Sequence, residues 1–160
     1  MMALKKVLTI AGSDTSAGAG MQADLKTFQE LDVYGMVALT SIVTMDKETW
    51  SHDVTPIDMN VFEKQLETAI SIGPDAIKTG MLGTQDIIKR AGDVFVESGA
   101  DYFVVDPVMV CKGEDEVLNP GNTEAMIQYL LPKATVFTPN LFDAAQLSVL
   151  AKFSSIEDMK

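Results

Sequence analysis

Cysteine occurs once in these 160 residues, at Cys111, so no internal disulfide can form and a reducing compartment is the expected setting. Positive charge is also scarce. Lys and Arg number 12 against 23 Asp and Glu, a net charge of -11, which argues against nucleic acid or an anionic membrane surface as a partner because both demand basic patches. Any phosphate bound here must be held by a few local groups. No hydrophobic run approaches the roughly 20 residues of a membrane span. The apolar stretch at 7–11, behind Lys5 and Lys6, is too short for the core of a signal peptide and is soon followed by Asp14. No repeat, low-complexity tract or linker interrupts the chain. A soluble cytosolic protein of one domain is expected, long enough to bury roughly two thirds of the surface of its unfolded chain.

What the sequence does have is a run of small residues and carboxylates, "IAGSDTSAGAGMQADLK" at 10–26, between an apolar stretch and a helix expected to begin near Met21. Gly12, Gly18 and Gly20 would let the main chain approach a ligand and take positive φ, and the free N–H groups of a helix start favour anions or polar ligand atoms. A strand-to-helix turn also needs Gly and Ser for geometry alone. Known phosphate fingerprints fail: no Lys-Ser or Lys-Thr follows Gly18 or Gly20 as in a P-loop, and the dinucleotide pattern would need Gly where Ala23 stands. That failure disfavours a Rossmann oxidoreductase.

Short β-branched or aromatic runs, "KKVLTI", "MVALTSIV", "DAIKT", "YFVVD" and "ATVFT", read as strands, mostly without polar alternation and so buried on both faces. Between them, Phe62, Leu66, Ala69 and Ile70 share one helical face, as do Ile87, Ile88, Ala91, Val94 and Phe95. Strands alternating with helices predict an α/β fold with a mostly parallel sheet flanked by helices and right-handed crossovers. Ligands of such sheets bind beyond the carboxyl ends of the strands. Those ends carry "AGSD", "GML", "DPVMVCKGED" and "TPNLFD", which gathers Gly12, Asp14, Gly80, Met81, Asp106, Cys111, Lys112, Asn140 and Asp143 along one rim. Asp106 with Asn140 and Asp143 could hold Mg2+, which takes a few oxygen ligands beside substrate phosphates. Taken singly, Asn140 could be only an N-cap, and Asp143 only a complement to a helix dipole.

The motifs "TIAGSDTSAGAGMQADLKTF", "IKTGML", "VVDPVM" and "TPNLFDA" resemble, in order and nearly in wording, the ribokinase-like vitamin kinases: the bacterial hydroxymethylpyrimidine kinases and the related pyridoxine/pyridoxal kinases. "MVCKG" together with "TWSHDV" is similar to a Gram-positive branch acting on both B6 vitamers and hydroxymethylpyrimidine. The resemblance implies ATP-dependent phosphorylation of a hydroxymethyl group on a small nitrogen heteroaromatic ring, with a homodimer as the usual full-length assembly. By the same resemblance Gly12, Asp14, Ala19, Gly20 and Asp24 belong to the substrate segment, Val43 and Met45 to the next contact strand, and Met81 and Val108 to the ring-packing positions. Pyrimidine-selective relatives carry Gln where Met45 stands, so a broader or B6-type substrate is implied; core filling is the other reading of a methionine there. Cys111 is placed to add reversibly to an aldehyde such as pyridoxal, or is simply a small packed hydrophobe. His52, beside Trp50, would belong to a flap over the ring, or is simply a surface histidine.

ATP and metal roles fall by resemblance to Gly80, Asp106, Lys112, Asn140 and Asp143, with Asp106 and Asp143 as the Mg2+ ligands. Relatives usually carry Glu in place of Asp143, one methylene longer, and tend to carry Gly where Val149 stands. Their general base lies in a Gly-rich loop downstream of Lys160, so no catalytic base is expected in this chain. Residues 1–160 are thus expected to be the N-terminal part of a single ribokinase-like kinase domain, with the C-terminal part missing, and inactive alone. The alternative is a non-catalytic vitamin-binding or dimerising fragment.

Overall fold

A computed structural model describes residues 4–109 and 120–148. The order of elements is β1 (Lys6–Asp14), α1 (Gly20–Glu30), β2 (Tyr34–Met45), β3 (His52–Pro56), α2 (Met59–Ile72), β4 (Ala76–Thr79), α3 (Gln85–Ser98), β5 (Tyr102–Val105), α4 (Pro120–Tyr129), a 3-10 turn (Leu131–Lys133), β6 (Val136–Phe137) and α5 (Leu141–Leu147). The six strands form one sheet in the order β3-β2-β1-β4-β5-β6, parallel throughout except that β3 runs antiparallel to β2. The expected α/β architecture is therefore present. No helix among the described residues is long and apolar enough to cross a membrane.

Register explains which face is buried. Leu8 lies opposite Met36 and Ile77, Ile10 opposite Ala38 and Thr79, and Ile77 opposite Phe103, so these side chains share one face of the sheet. They form one core with Phe62 and Leu66 of α2 and Ile87, Ile88, Ala91 and Val94 of α3, while Ile70 and Phe95 pack at its border. Both helices are closed by side chains and glycine. Asp58 caps α2 by accepting from the N–H groups of Asn60 and Val61, and Thr84 caps α3 by accepting from Ile87. Gly73 and Gly99, at φ 77 and 66, end them in the left-handed region. The opposite face carries α1, which has no fully buried residue.

Several departures from the sequence reading bear on function. β1 does not stop at Ile10 but runs to Asp14, with a bulge between Ala11 and Ser13, so Gly12 and Asp14 belong to the strand rather than to a loop. Of the three glycines expected to take positive φ, only Gly20 does, at 59; Ala17 takes the other left-handed position, also at 59. The polar segment around His52 is a strand, pairing Met45 with His52 and Ile42 with Thr55. Its lack of an apolar run hid it. β2, expected to be buried on both faces, alternates buried and half-exposed residues, and Ile42 is 42% exposed.

The turn from β1 to α1 is organised by Asp14. Its carboxylate accepts from the Ser16 N–H and hydroxyl at 2.8 Å each and from the Ala19 N–H at 2.8 Å, and its own N–H donates to Gln22 at 3.0 Å. Thr15 donates through N–H and hydroxyl to the Val43 carbonyl, tying the turn to β2. Burial pushes the Asp14 carboxyl up, but the Ser16 hydroxyl and the surrounding N–H groups outweigh it and hold the pKa below the ordinary 3.8. A depressed carboxyl stabilises the fold above its unfolded pKa, and that stability is lost as pH falls through the lower native value. Asp14→Asn is expected to destabilise by about 1–3 kcal/mol at neutral pH. In thermal melts across pH 3 to 7, roughly the range in which a carboxyl titrates, the gap between the two proteins should narrow below the ordinary carboxyl pKa. A gap independent of pH would show that the ionised carboxylate is not what holds the turn.

Candidate functional site

With β1 between β2 and β4, and β5 and β6 beyond, the carboxyl ends of the parallel strands open onto a cleft of about 1220 Å³. Its wall toward β2 and β3 carries mostly small or apolar residues, with Asp14 and Ser16 beside them. Gly12, Ala19 and Gly20 line it from the first turn, Val43 and Met45 from the end of β2, and Met81 and Val108 from the segments after β4 and β5. Trp50 and His52 line it from the β2–β3 hairpin, where Trp50 is 65% exposed at φ 60. Its wall toward β5 and β6 carries Lys78, Gly80, Asp106 and Asn140 together with the apolar Leu141 and Phe142.

The glycines are explained by what surrounds them. A Cβ on Gly12 would lie 2.7 Å from the Ser41 hydroxyl and 3.2 Å from the end of Met81, so the missing side chain lets Met81 pack across the strand. Met81 is fixed from behind, its carbonyl accepting from the Thr40 hydroxyl at 2.6 Å. A Cβ on Gly20 would run into the Gly12 carbonyl, and its positive φ disfavours any side chain. At Gly80 the space belongs to Ala11 and to the Lys78 ammonium.

Two expected site residues stand behind the wall rather than in it. Asp24 is not a lining residue: it lies beneath, accepting the Thr9 hydroxyl at 2.6 Å and pairing with Lys78 at 3.0 Å. Asp143 is 1% exposed. It forms a capping box with Asn140, whose side-chain oxygen accepts the Asp143 N–H at 2.9 Å while Asp143 Oδ2 accepts the Asn140 N–H at 3.4 Å. Both ordinary roles, cap and helix-start carboxylate, are thus filled. The remaining oxygen, Asp143 Oδ1, is buried without a hydrogen-bond partner among the described residues. Asp14 lines the cleft, but its carboxylate is spent on its own turn.

Burial is the main reason that the Asp106 carboxyl is raised above 3.8; Lys78 opposes the shift and Asp24 adds to it. Asp143 is raised by burial too, opposed by the Asn140 and Met109 N–H groups and reinforced by the charge of Asp106. Two carboxylates that feel each other, one with an unused buried oxygen, form a donor set suited to a hard cation. No group of three or more His, Cys, Asp or Glu gathers among the described residues, so such an ion would depend on other ligands too. Cys111, Lys112 and Val149 lie outside the described residues.

Lys78 was missed. It sits inside "IKTGML", and a charged residue within a four-residue strand next to that glycine was the signal that could have found it.

Residues 14–160 match the family described as phosphomethylpyrimidine kinase. A putative pyridoxine kinase of Staphylococcus epidermidis is 96% identical over 159 residues, which cover 99% of this chain and 58% of that protein. Among solved structures, the pyridoxal kinase of Staphylococcus aureus in complex with pyridoxal superposes with a TM-score of 0.94 at 82% identity, covering 99% of this chain and 57% of the other. The same enzyme in complex with AMP-PCP gives 0.93 at 83% identity, with the same shares covered. The chain thus spans a little under three fifths of the length of these relatives, and it belongs to the phosphomethylpyrimidine kinase family.

Proposed function

We propose that residues 1–160 are the vitamin-binding, N-terminal part of a single ATP-dependent kinase domain. The full protein would phosphorylate the hydroxymethyl group of B6 vitamers, of 4-amino-5-hydroxymethyl-2-methylpyrimidine, or of both, as a cytosolic homodimer. The observation that carries this reading is the lining of one continuous cleft: small and apolar residues such as Gly12, Gly20, Val43 and Met81 that fit a flat ring, and Lys78 and Asp106 that fit phosphates and their counter-ion. Relatives that bind pyridoxal and the ATP analogue AMP-PCP support it. Met45 lines the cleft and offers no donor or acceptor matched to a pyrimidine edge, which favours the B6 side.

In this reading the ring lies against the Gly12 and Gly20 backbone, between Met81, Val108 and Val43, and these apolar groups exclude water from one side of the reacting hydroxyl. His52 and Trp50 approach from the hairpin. Asp106 and Asp143 would hold Mg2+, which when bound neutralises phosphate charge. Asn140 keeps α5, and with it Asp143, in place. Lys112 and Cys111 keep the phosphate and aldehyde roles that the resemblance gives them, as further proposals. None of the lining carboxylates is free to act as a general base at the ring: Asp14 is committed to its turn, and Asp106 lies on the wall toward β5 and β6.

Calorimetry with pyridoxal should show saturable binding to the 160-residue chain, and NAD should give none. Gly20→Val, which forces a side chain into the Gly12 carbonyl and a left-handed φ, should weaken pyridoxal binding at least tenfold, since such strain costs on the order of 1–3 kcal/mol. Unchanged affinity would move the ring elsewhere.

The chain alone should not turn over. A positioned general base contributes about 10²- to 10⁴-fold, and donors aimed at the transferring phosphoryl add a comparable factor. With Mg-ATP and pyridoxal, ADP release should stay near the vitamin-free background. Robust vitamin-dependent release from material whose intact mass matches 160 residues would place the base within residues 1–160.

A further inference from the structure

The wall of the cleft toward β5 and β6 contains a cation with no role so far. Lys78 is the one Lys or Arg among the described residues that line it, in a chain whose net charge is -11. Its position is set by Asp24. It projects from β4 onto the face that carries α1, where Asp24 Oδ1 lies at 3.0 Å and Oδ2 at 3.1 Å. Asp24 is itself steadied by the Thr9 hydroxyl from β1 at 2.6 Å. A side chain at Gly80 would begin 3.6 Å from Nζ, so the ammonium lies directly over this glycine.

Stability alone is a weak reason for such a pair. The Lys78 and Asp24 side chains are 23% and 14% exposed, and the desolvation of a buried ion pair offsets much of its Coulomb gain. An ammonium has three donors, and a single carboxylate does not use them all. Asp106 does not take the remainder, because its nearest oxygen is 3.9 Å away, beyond hydrogen-bond range. The ammonium is therefore tethered on one side and unspent on the side that lines the cleft. β4 lies between β1, which leads into Gly12, and β5, which leads into Asp106, so this charge stands where the two walls meet.

We propose that Lys78 is a phosphate-binding residue of this cleft, aimed by Asp24 and Thr9, and that its free N–H donates to a phosphoryl oxygen. The inference rests on the kinase reading above and gives that site its resident cation. The oxygen could belong to the nucleotide or to a phosphorylated vitamin; the chemistry is the same.

The test uses inorganic tripolyphosphate, ADP and pyridoxal 5'-phosphate in calorimetric titrations of the 160-residue chain in Mg2+ buffer. The double variant Lys78→Met with Asp24→Asn removes both charges and leaves no unpaired ion, and thermal melts check that it folds. Affinity for tripolyphosphate should fall about ten- to hundredfold, as expected for loss of a charge-assisted hydrogen bond. Lys78→Arg, which keeps charge and donors, should stay within about tenfold of wild type. A matching loss for ADP alone assigns the contact to the nucleotide, and for pyridoxal 5'-phosphate alone to the product. A folded double variant that binds tripolyphosphate as the wild type does overturns the proposal, and so does a wild type that does not bind it. If the double variant fails to fold, the Lys78 side-chain NMR signal in the wild type decides: it should move with tripolyphosphate, and a stationary signal overturns the assignment. Absence of pyridoxal binding in a chain with Lys78-dependent phosphate binding would instead overturn the vitamin reading.

Discussion

β1 is hydrogen-bonded in parallel to both β2 and β4, and the cleft depends on that double pairing. The strand is buried along most of its length, so its position is fixed by the core on one face and by α1 on the other. Its end then carries, within three residues, the glycine that admits Met81 and the carboxylate that folds the next turn. The bulge at Ala11 to Ser13 lets the strand continue to Asp14 with shifted register, which brings Asp14 opposite Val43. Thr15 then bonds the Val43 carbonyl, so the turn and the end of β2 move as one piece. A ring bound there would meet a preformed wall, and little ordering entropy would be charged to binding.

Charge is distributed with similar economy. The chain carries a large excess of carboxylates, yet those at the cleft are each constrained: Asp14 by N–H groups, Asp24 by Lys78 and Thr9, Asp143 by the cap. Asp106 is the least committed, 3.9 Å from Lys78 and raised by burial. An anionic ligand entering this cleft therefore meets, among the described residues, one tethered ammonium, a helix start with no side-chain cap at α1, and carboxylates that repel it. The attraction and the repulsion both follow from Coulomb's law at short range in a partly dehydrated site.

Much of this was legible in the sequence, for reasons that differ by element. α2 and α3 announce themselves through helical periodicity, and their buried faces are those the spacing picks out. β3 was not legible. An edge strand exposed on one side, with the sequence HDVTP, carries no apolar run, and its pairing is decided by the end of β2. The rim was legible because strand ends in a parallel sheet converge whatever their sequence. Side-chain direction was not: nothing in "SDTSAGAGMQADLK" tells that Asp24 points under the sheet toward Thr9 and Lys78 while Asp14 folds back on Ser16. The direction of Asp24 depends in part on a partner 54 residues away, Lys78.

Asp143 shows how an ordinary role and a functional one can share a side chain. A capping box needs one carboxylate oxygen at the N3 position, and here Oδ2 meets the Asn140 N–H. The second oxygen is then carried into a buried position where no hydrogen bond of good geometry reaches it, although the Met109 N–H lies near enough to the carboxylate to oppose its raised pKa. Leaving a carboxylate oxygen dry is costly, and the raised pKa records that cost as a proton held more tightly. Proton and cation compete for the same oxygen. The capping box thus fixes the carboxylate, while burial and the nearby charge of Asp106 both raise its pKa. The side chain that closes the cap is thus the one proposed to reach a metal, so the two roles fall to different oxygens of one carboxylate.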